Sequence, residues 1–168
     1  TREEVEDLVA TIRQRVPGAV LRTTFLVGFP GETDEQFENL LEFVHEMRFD
    51  RMGCFTYSAE EGTPAAEMPG QVPEEVAQER LDRLMTAQQE IAFDLARERI
   101  GQRANVLVED VHDEAGAFVA ARGPAEAPDV DPVVLIDAED APEGGTFVDV
   151  EIVQALGYDV IGEIVPGE

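Results

Sequence analysis

Arg22-Thr23-Thr24-Phe25-Leu26-Val27-Gly28-Phe29-Pro30-Gly31-Glu32-Thr33 reads as a β-strand that runs straight into a glycine-broken loop and then a helix start. Its β-branched and apolar residues stop at Gly28, Pro30 and Gly31, where the backbone is freed or fixed in ways that a continuing strand does not tolerate. Thr33 and Gln36 have the spacing of a capping box, in which each side chain satisfies a backbone N–H left open by the first helical turn. Strand, glycine turn and helix N-terminus in this order put free N–H donors and positive partial charge at one sheet edge, where α/β proteins hold ligands. The same residues also suit an ordinary strand-to-helix turn, and on this segment alone that reading prevails.

Outward from this segment the periodicity is that of an α/β protein. Val5, Leu8, Val9 and Ile12 mark one face of a helix over 3–15, closed by Pro17-Gly18. Phe37, Leu40, Leu41, Val44 and Met47 mark a second helix, and the run Asp50-Arg51-Met52-Gly53-Cys54-Phe55-Thr56-Tyr57-Ser58 a second strand. Strand 20–27, this helix and strand 51–57 therefore form one βαβ unit. Two strands do not stand alone, so the unit is expected to belong to a partial (β/α) barrel completed by other sequence. Pro73, in the first turn of a long helix, opens a pattern of Val76, Leu81, Leu84, Met85, Ile91 and Leu95 that stops at Gly101.

Beyond Gly101 the pattern changes to short alternating runs at 104–109, 117–122, 133–136, 146–153 and 159–165. Turns at 112–116, Gly123-Pro124, Glu143-Gly144-Gly145 and Gly157 separate them. Such spacing predicts a small five-stranded antiparallel barrel of the oligonucleotide-binding kind. The fold class is α/β plus all-β, divided into residues 1–100 and 101–168.

The Thr-x-Leu-Val-Gly-Phe-Pro-Gly-Glu-Thr segment, the Phe55-Thr56-Tyr57-Ser58 strand with its Gly62-Thr63-Pro64-Ala65-Ala66 loop, and Gln71-Val72-Pro73-Glu74-Glu75 together resemble the radical S-adenosylmethionine methylthiotransferases. Glu60-Glu61 ahead of Gly62-Thr63 resembles the branch that modifies an aspartate in the twelfth protein of the small ribosomal subunit, whereas the tRNA-modifying branch typically carries Arg-Pro there. The stretch Arg122-Gly123-Pro124-Ala125-Glu126-Ala127-Pro128-Asp129-Val130-Asp131 resembles the second loop of that family's TRAM domain. The resemblance spans essentially the whole chain but only the carboxy-terminal part of the family's enzymes. It implies a fragment, with 1–100 the end of the radical SAM barrel plus a linking helix and 101–168 the TRAM domain.

The resemblance further implies two 4Fe-4S clusters and S-adenosylmethionine as cofactors, a 5′-deoxyadenosyl radical, and transfer of a methylthio group. Clusters need several thiolates, and this chain has one cysteine, Cys54, so it is expected to hold no cluster ligands and to be inactive alone. Cys54 itself reads as a small buried hydrophobe. Thr24, Leu26, Gly28 and Phe55 match the cofactor-lining positions, with strand packing as the competing reading for each; Arg22 joins them as a cofactor-binding candidate by alternation alone. Alternation puts Arg22, Thr24 and Leu26 on one face, either the barrel lumen, where Arg22 would meet the cofactor carboxylate, or the helix side, where it would pair with an acid. Glu60 and Glu61, at the carboxyl end of a strand, are candidates to meet a basic substrate loop, or else are solvated loop glutamates. His45 and His112 read as surface residues without metal-ligand company.

Acids outnumber bases 37 to 12, giving a formal charge of −25, and every base is arginine. Residues 1–100 hold 21 acids and 10 arginines, while 101–168 hold 16 acids and only Arg103 and Arg122. This charge argues against nucleic acid as a direct ligand and for a basic partner, which the resemblance implies to be the small-subunit ribosomal protein. Phe118, Phe147 and Tyr158 are accordingly expected in the core rather than on an RNA platform. A salt or solubility adaptation of the whole surface would give the same composition. No apolar run approaches a membrane span and no leader pattern is present, so the expected compartment is the cytoplasm. Two alternatives stand beside the main reading: a tRNA methylthiotransferase of the same family, and a non-catalytic acidic module that binds a basic protein.

Overall fold

The computed structural model describes residues 1–113 and 115–166. Contacts divide the chain into two compact units, Thr1–Ile91 and Ala92–Glu168. No described helix is long and apolar enough to cross a membrane.

In the first unit, α1 (Arg2–Arg15), β1 (Arg22–Val27), α2 (Asp34–Met47) and β2 (Arg51–Thr56) follow in order, then a 3-10 turn (Pro64–Glu67) and α3 (Glu74–Glu98), which carries the chain into the second unit. β1 and β2 pair in parallel with α2 as the crossover, as the βαβ pattern predicts. Thr33 caps α2: its side chain accepts from the Gln36 N–H at 3.2 Å, and Gln36 returns a bond to the Thr33 N–H at 3.0 Å. The chain leaves α2 through Arg48 in a left-handed conformation. One face of the two-stranded sheet is covered. Phe25 of β1 meets Phe43 of α2 and Phe49 edge-on at 6.3 and 6.2 Å, and Val9 of α1 joins the same apolar cluster. Burying such aromatics contributes most of the packing energy of a small layer.

The second unit carries β3 (Arg103–His112), β4 (Phe118–Arg122), β5 (Val134–Asp137), β6 (Phe147–Leu156) and β7 (Asp159–Ile164), closed into a barrel in the order β3-β4-β5-β7-β6. Val106, Val108, Val119, Ala121, Val134, Ile136, Val150, Ile152 and Val160 fill it. Their spacing of two along each strand is the alternation that marked these segments in the sequence. The barrel is mixed rather than antiparallel, because β5 and β7 run parallel through Val134↔Val160 and Leu135↔Ile161. Ring closure requires this: alternating directions cannot close around an odd number of strands, so at least one neighbouring pair must be parallel.

Two further expectations are corrected. Phe147 is 65% exposed and Tyr158 45% exposed, so neither is core. Phe147 opens β6 on the outward register with Asp149 and Glu151, opposite the inward Val148, Val150 and Ile152, and Tyr158 sits in the β6–β7 turn with its ring against Phe93 at 4.9 Å. The segment from 112 expected as turn begins as strand, since β3 runs through His112. The His112 side chain and Glu114 lie outside the described residues.

Candidate functional site

The face of the β1–β2 sheet opposite Phe25 is open. In-register parallel partners share a face, so Arg22 with Arg51, Thr24 with Gly53, and Leu26 with Phe55 form three rungs on it. Arg22, Thr24 and Leu26 are exposed along it, Leu26 at 49%, and Phe55 is 63% exposed. Thr23 and Phe25 point to the covered side. The rungs grade from two guanidinium groups at the amino end to two large apolar side chains at the carboxyl end. Four residues of strand separate the ends, about 13 Å. Beside Thr24, Gly53 leaves a shallow step: a Cβ there would lie 3.7 Å from the Thr24 hydroxyl oxygen. A ligand with an apolar or aromatic part and an anionic part has matching surface on this strip.

At the carboxyl end the glycine loop is built tightly. Gly28 adopts φ +77°, and a Cβ on it would stand 2.5 Å from the Cβ of Ala77 on α3. Close approach of α3, and a backbone turn that other residues resist, therefore require glycine here. The Gly28 N–H donates to Glu32 Oε1 at 3.2 Å, so Glu32 occupies the donor that the strand-loop-helix pattern offers to a ligand. Glu32 is held in turn by Arg80 of α3, 2.7 Å from the same oxygen, and the other Arg80 nitrogen reaches Asp34 Oδ1 at 2.6 Å. The Arg80 side chain is only 6% exposed and its guanidinium lies 5.6 Å from the Phe37 ring centre. Gly31 N–H donates to the Gly70 carbonyl at 2.8 Å, tying the loop to the segment before α3.

Glu32, Arg80 and Tyr57 escape sequence reasoning. Arg80 occupies a position that a helical pattern marks only as polar, and nothing in the spacing announces a partner 48 residues away. The Tyr57 ring lies against Phe29 at 5.3 Å, and its hydroxyl is buried with no hydrogen-bond partner among the described residues. A buried hydroxyl in this state is short of one bond, which a ligand or water at this edge can supply.

Cys54 faces the covered side with Phe25 and is half-buried. Burial, then the nearby Glu32 charge, push its thiol up to about 11. Glu60 and Glu61 are exposed after β2, where the Glu60 carbonyl accepts from the Thr63 N–H and hydroxyl at 3.1 and 2.8 Å. That bonding fixes the loop backbone and leaves both carboxylates facing solvent. His45 is exposed on α2. No group of three metal-ligating side chains occurs among the described residues.

In the second unit the arginines are matched by acids: Arg99 with buried Glu126 at 3.0 Å, Arg103 with Glu151 at 3.8 Å, Arg122 with Glu109, and Arg97 with Asp94. Glu126 also accepts the Gly123 N–H at 2.8 Å, which holds the β4–β5 loop, including the Arg122-Gly123-Pro124 motif, close to the end of α3. Outside these pairs the barrel presents carboxylates.

Residues 100–165 match the TRAM domain family. Across 164 residues the chain is 45% identical to the ribosomal protein uS12 methylthiotransferase RimO of Desulforamulus reducens, covering 98% of this chain and 37% of that relative. Identity is 47% over 165 residues to the RimO of Bdellovibrio bacteriovorus, covering 98% and 36%, and 48% over 163 residues to that of Syntrophotalea carbinolica, covering 97% and 36%. Over nearly its whole length this chain is similar to those methylthiotransferases. It spans a little over a third of the length of these uS12 methylthiotransferases, and both units described above fall within the shared part.

Proposed function

We propose that the protein works as part of a radical S-adenosylmethionine enzyme that attaches a methylthio group to an aspartate of ribosomal protein uS12. The observation that carries this reading is the similarity, across 98% of the chain, to proteins named for that activity. The βαβ unit serves as the end of a partial (β/α) barrel, and its open face is the lumen. Leu26 and Phe55 give an apolar wall to the nucleoside, Thr24 a hydroxyl, and Arg22 a partner for a carboxylate. Gly28 shapes the loop above them, and Glu60 and Glu61 meet the substrate. The Tyr57 hydroxyl is a further donor at the same edge.

The clusters find no home in this chain. A 4Fe-4S centre is held by several thiolates, whereas Cys54 is a single thiol whose pKa is pushed up by burial to about 11. When bound, the cofactors supply the radical and the sulfur, and these residues bind and orient. We infer that the acidic barrel recruits the ribosomal protein by charge, in the cytoplasm, and that tRNA is a poor ligand for it.

A chimera tests the whole reading. Replacing the matching segment of the Desulforamulus reducens enzyme with this chain should leave a protein that adds the methylthio group to uS12, read by mass spectrometry of the target peptide. A folded chimera that retains its clusters and modifies nothing would overturn it, and modification of tRNA instead would move the chain to the other branch.

A further inference from the structure

The parallel seam of the barrel is incomplete. β5 and β7 pair only at Val134↔Val160 and Leu135↔Ile161, yet β5 continues to Asp137 and β7 to Ile164. Over Gly162, Glu163 and Ile164 the pairing of β7 is with β6 alone. The two strands flank a groove of about 510 Å³ there, lined by Phe118, Ile161 and Ile164 and by Asp137, Asp140 and Glu163. No basic side chain lines it. The Asp137 carboxylate accepts the Glu139 N–H at 2.9 Å, while Asp140 and Glu163 have no ion pair among the described residues.

We propose that this groove is a docking site for an extended basic segment of a protein, which adds alongside β7 at Gly162–Ile164 and places arginine or lysine side chains against Asp140 and Glu163. Strand edges accept added strands through backbone bonds, and alternate side chains then read the walls. The groove surface is mainly polar, so backbone bonds and the acidic border carry the recognition, while Phe118 and Ile161 offer limited contact to the aliphatic stems of such side chains. Gly162 fixes the local geometry, since a Cβ there would lie 3.0 Å from Val134 and 3.1 Å from Val150. The proposal deepens the reading of the barrel as the recruiter of uS12 and rests on it for the identity of the natural partner.

The test uses the full chain and a synthetic nonapeptide of alternating arginine and valine, beside a peptide of the same charge with proline at every valine position. Binding of the first should shift the amide resonances of residues 162–164, and the proline peptide should bind at least fivefold more weakly. The double variant Asp140→Asn/Glu163→Gln should weaken the first peptide at least fivefold, against less than twofold for Asp129→Asn/Glu143→Gln, which removes equal charge outside the groove. Equal loss in both double variants, equal affinity for both peptides, or unmoved amides at 162–164 would overturn the groove. Because the probe is not uS12, a failed chimera with a positive peptide titration would sink the enzymatic reading and leave the groove standing.

Discussion

At the scale of single residues, the loop after β1 shows how a sequence motif and its physical role come apart. Gly28 looks like a phosphate-type cradle, but its N–H is spent on Glu32 and its missing Cβ makes room for Ala77. Gly28→Ala should therefore destabilise the protein by about 1–3 kcal/mol through overpacking, beyond the backbone strain that Gly31→Ala at φ +87° shares. Urea unfolding of the two variants compares them, and equal losses would show that the contact with Ala77 is soft. Removing the buried cation in Arg80→Met strands Glu32, and should cost about 3 kcal/mol in the same measurement. Cys54 gives a pH expectation whose sign is fixed. An acid with a raised folded pKa keeps its proton where the unfolded chain loses it, so stability should fall as pH rises from the ordinary thiol value toward about 11. Below that range the thiol should react with iodoacetamide far more slowly than a free cysteine, and rapid labelling of the folded protein at pH 8 would contradict its burial.

At the scale of elements, the sequence shows what depends on local periodicity and hides what depends on closure. The helices and strands lie where spacing of three to four or of two puts them, and the Thr33 box caps α2 as its spacing requires. Thr33→Ala should cost about 1 kcal/mol by calorimetry or urea unfolding. The parallel β5–β7 pair was hidden because alternation within a strand carries no information on direction, although an odd ring demands one parallel seam. The open face was legible for the same reason that the strands were: alternation grouped Arg22, Thr24 and Leu26 before any partner was known, while the register that adds Arg51, Gly53 and Phe55 needed the structure. The β3–β4 hairpin is held at its tip by Asp113, whose carboxylate accepts the Phe118 N–H at 2.8 Å, and that bond, first among its causes, lowers its pKa. A depressed carboxylate contributes above its unfolded pKa and is lost as pH falls through the folded one. The protection factor of the Phe118 amide, its exchange rate corrected for the intrinsic pH dependence, should hence fall on acidification, and in Asp113→Asn it should not change with pH over that range.

For the whole molecule, charge sets two salt responses of opposite sign. With 37 acids against 12 arginines, and arginines of the second unit matched by acids at Arg97, Arg99, Arg103 and Arg122, the remaining carboxylates repel one another in the folded state. Screening relieves that repulsion, because the Debye length shortens from about 10 Å at 0.1 M salt to about 3 Å at 1 M. Thermal stability should accordingly rise with sodium chloride over this range, in contrast to a fold held by surface ion pairs, which salt weakens. Attraction to a basic partner is screened by the same ions, so affinity for uS12 should fall as stability climbs. Both curves can be taken on one preparation, by calorimetry and by titration with uS12, tRNA and an unrelated protein of similar positive charge. Rising stability with equal binding of uS12 and the control would reduce the acidity to a general surface adaptation. A preference for uS12 at each salt concentration would show that arrangement as well as quantity of charge selects the partner.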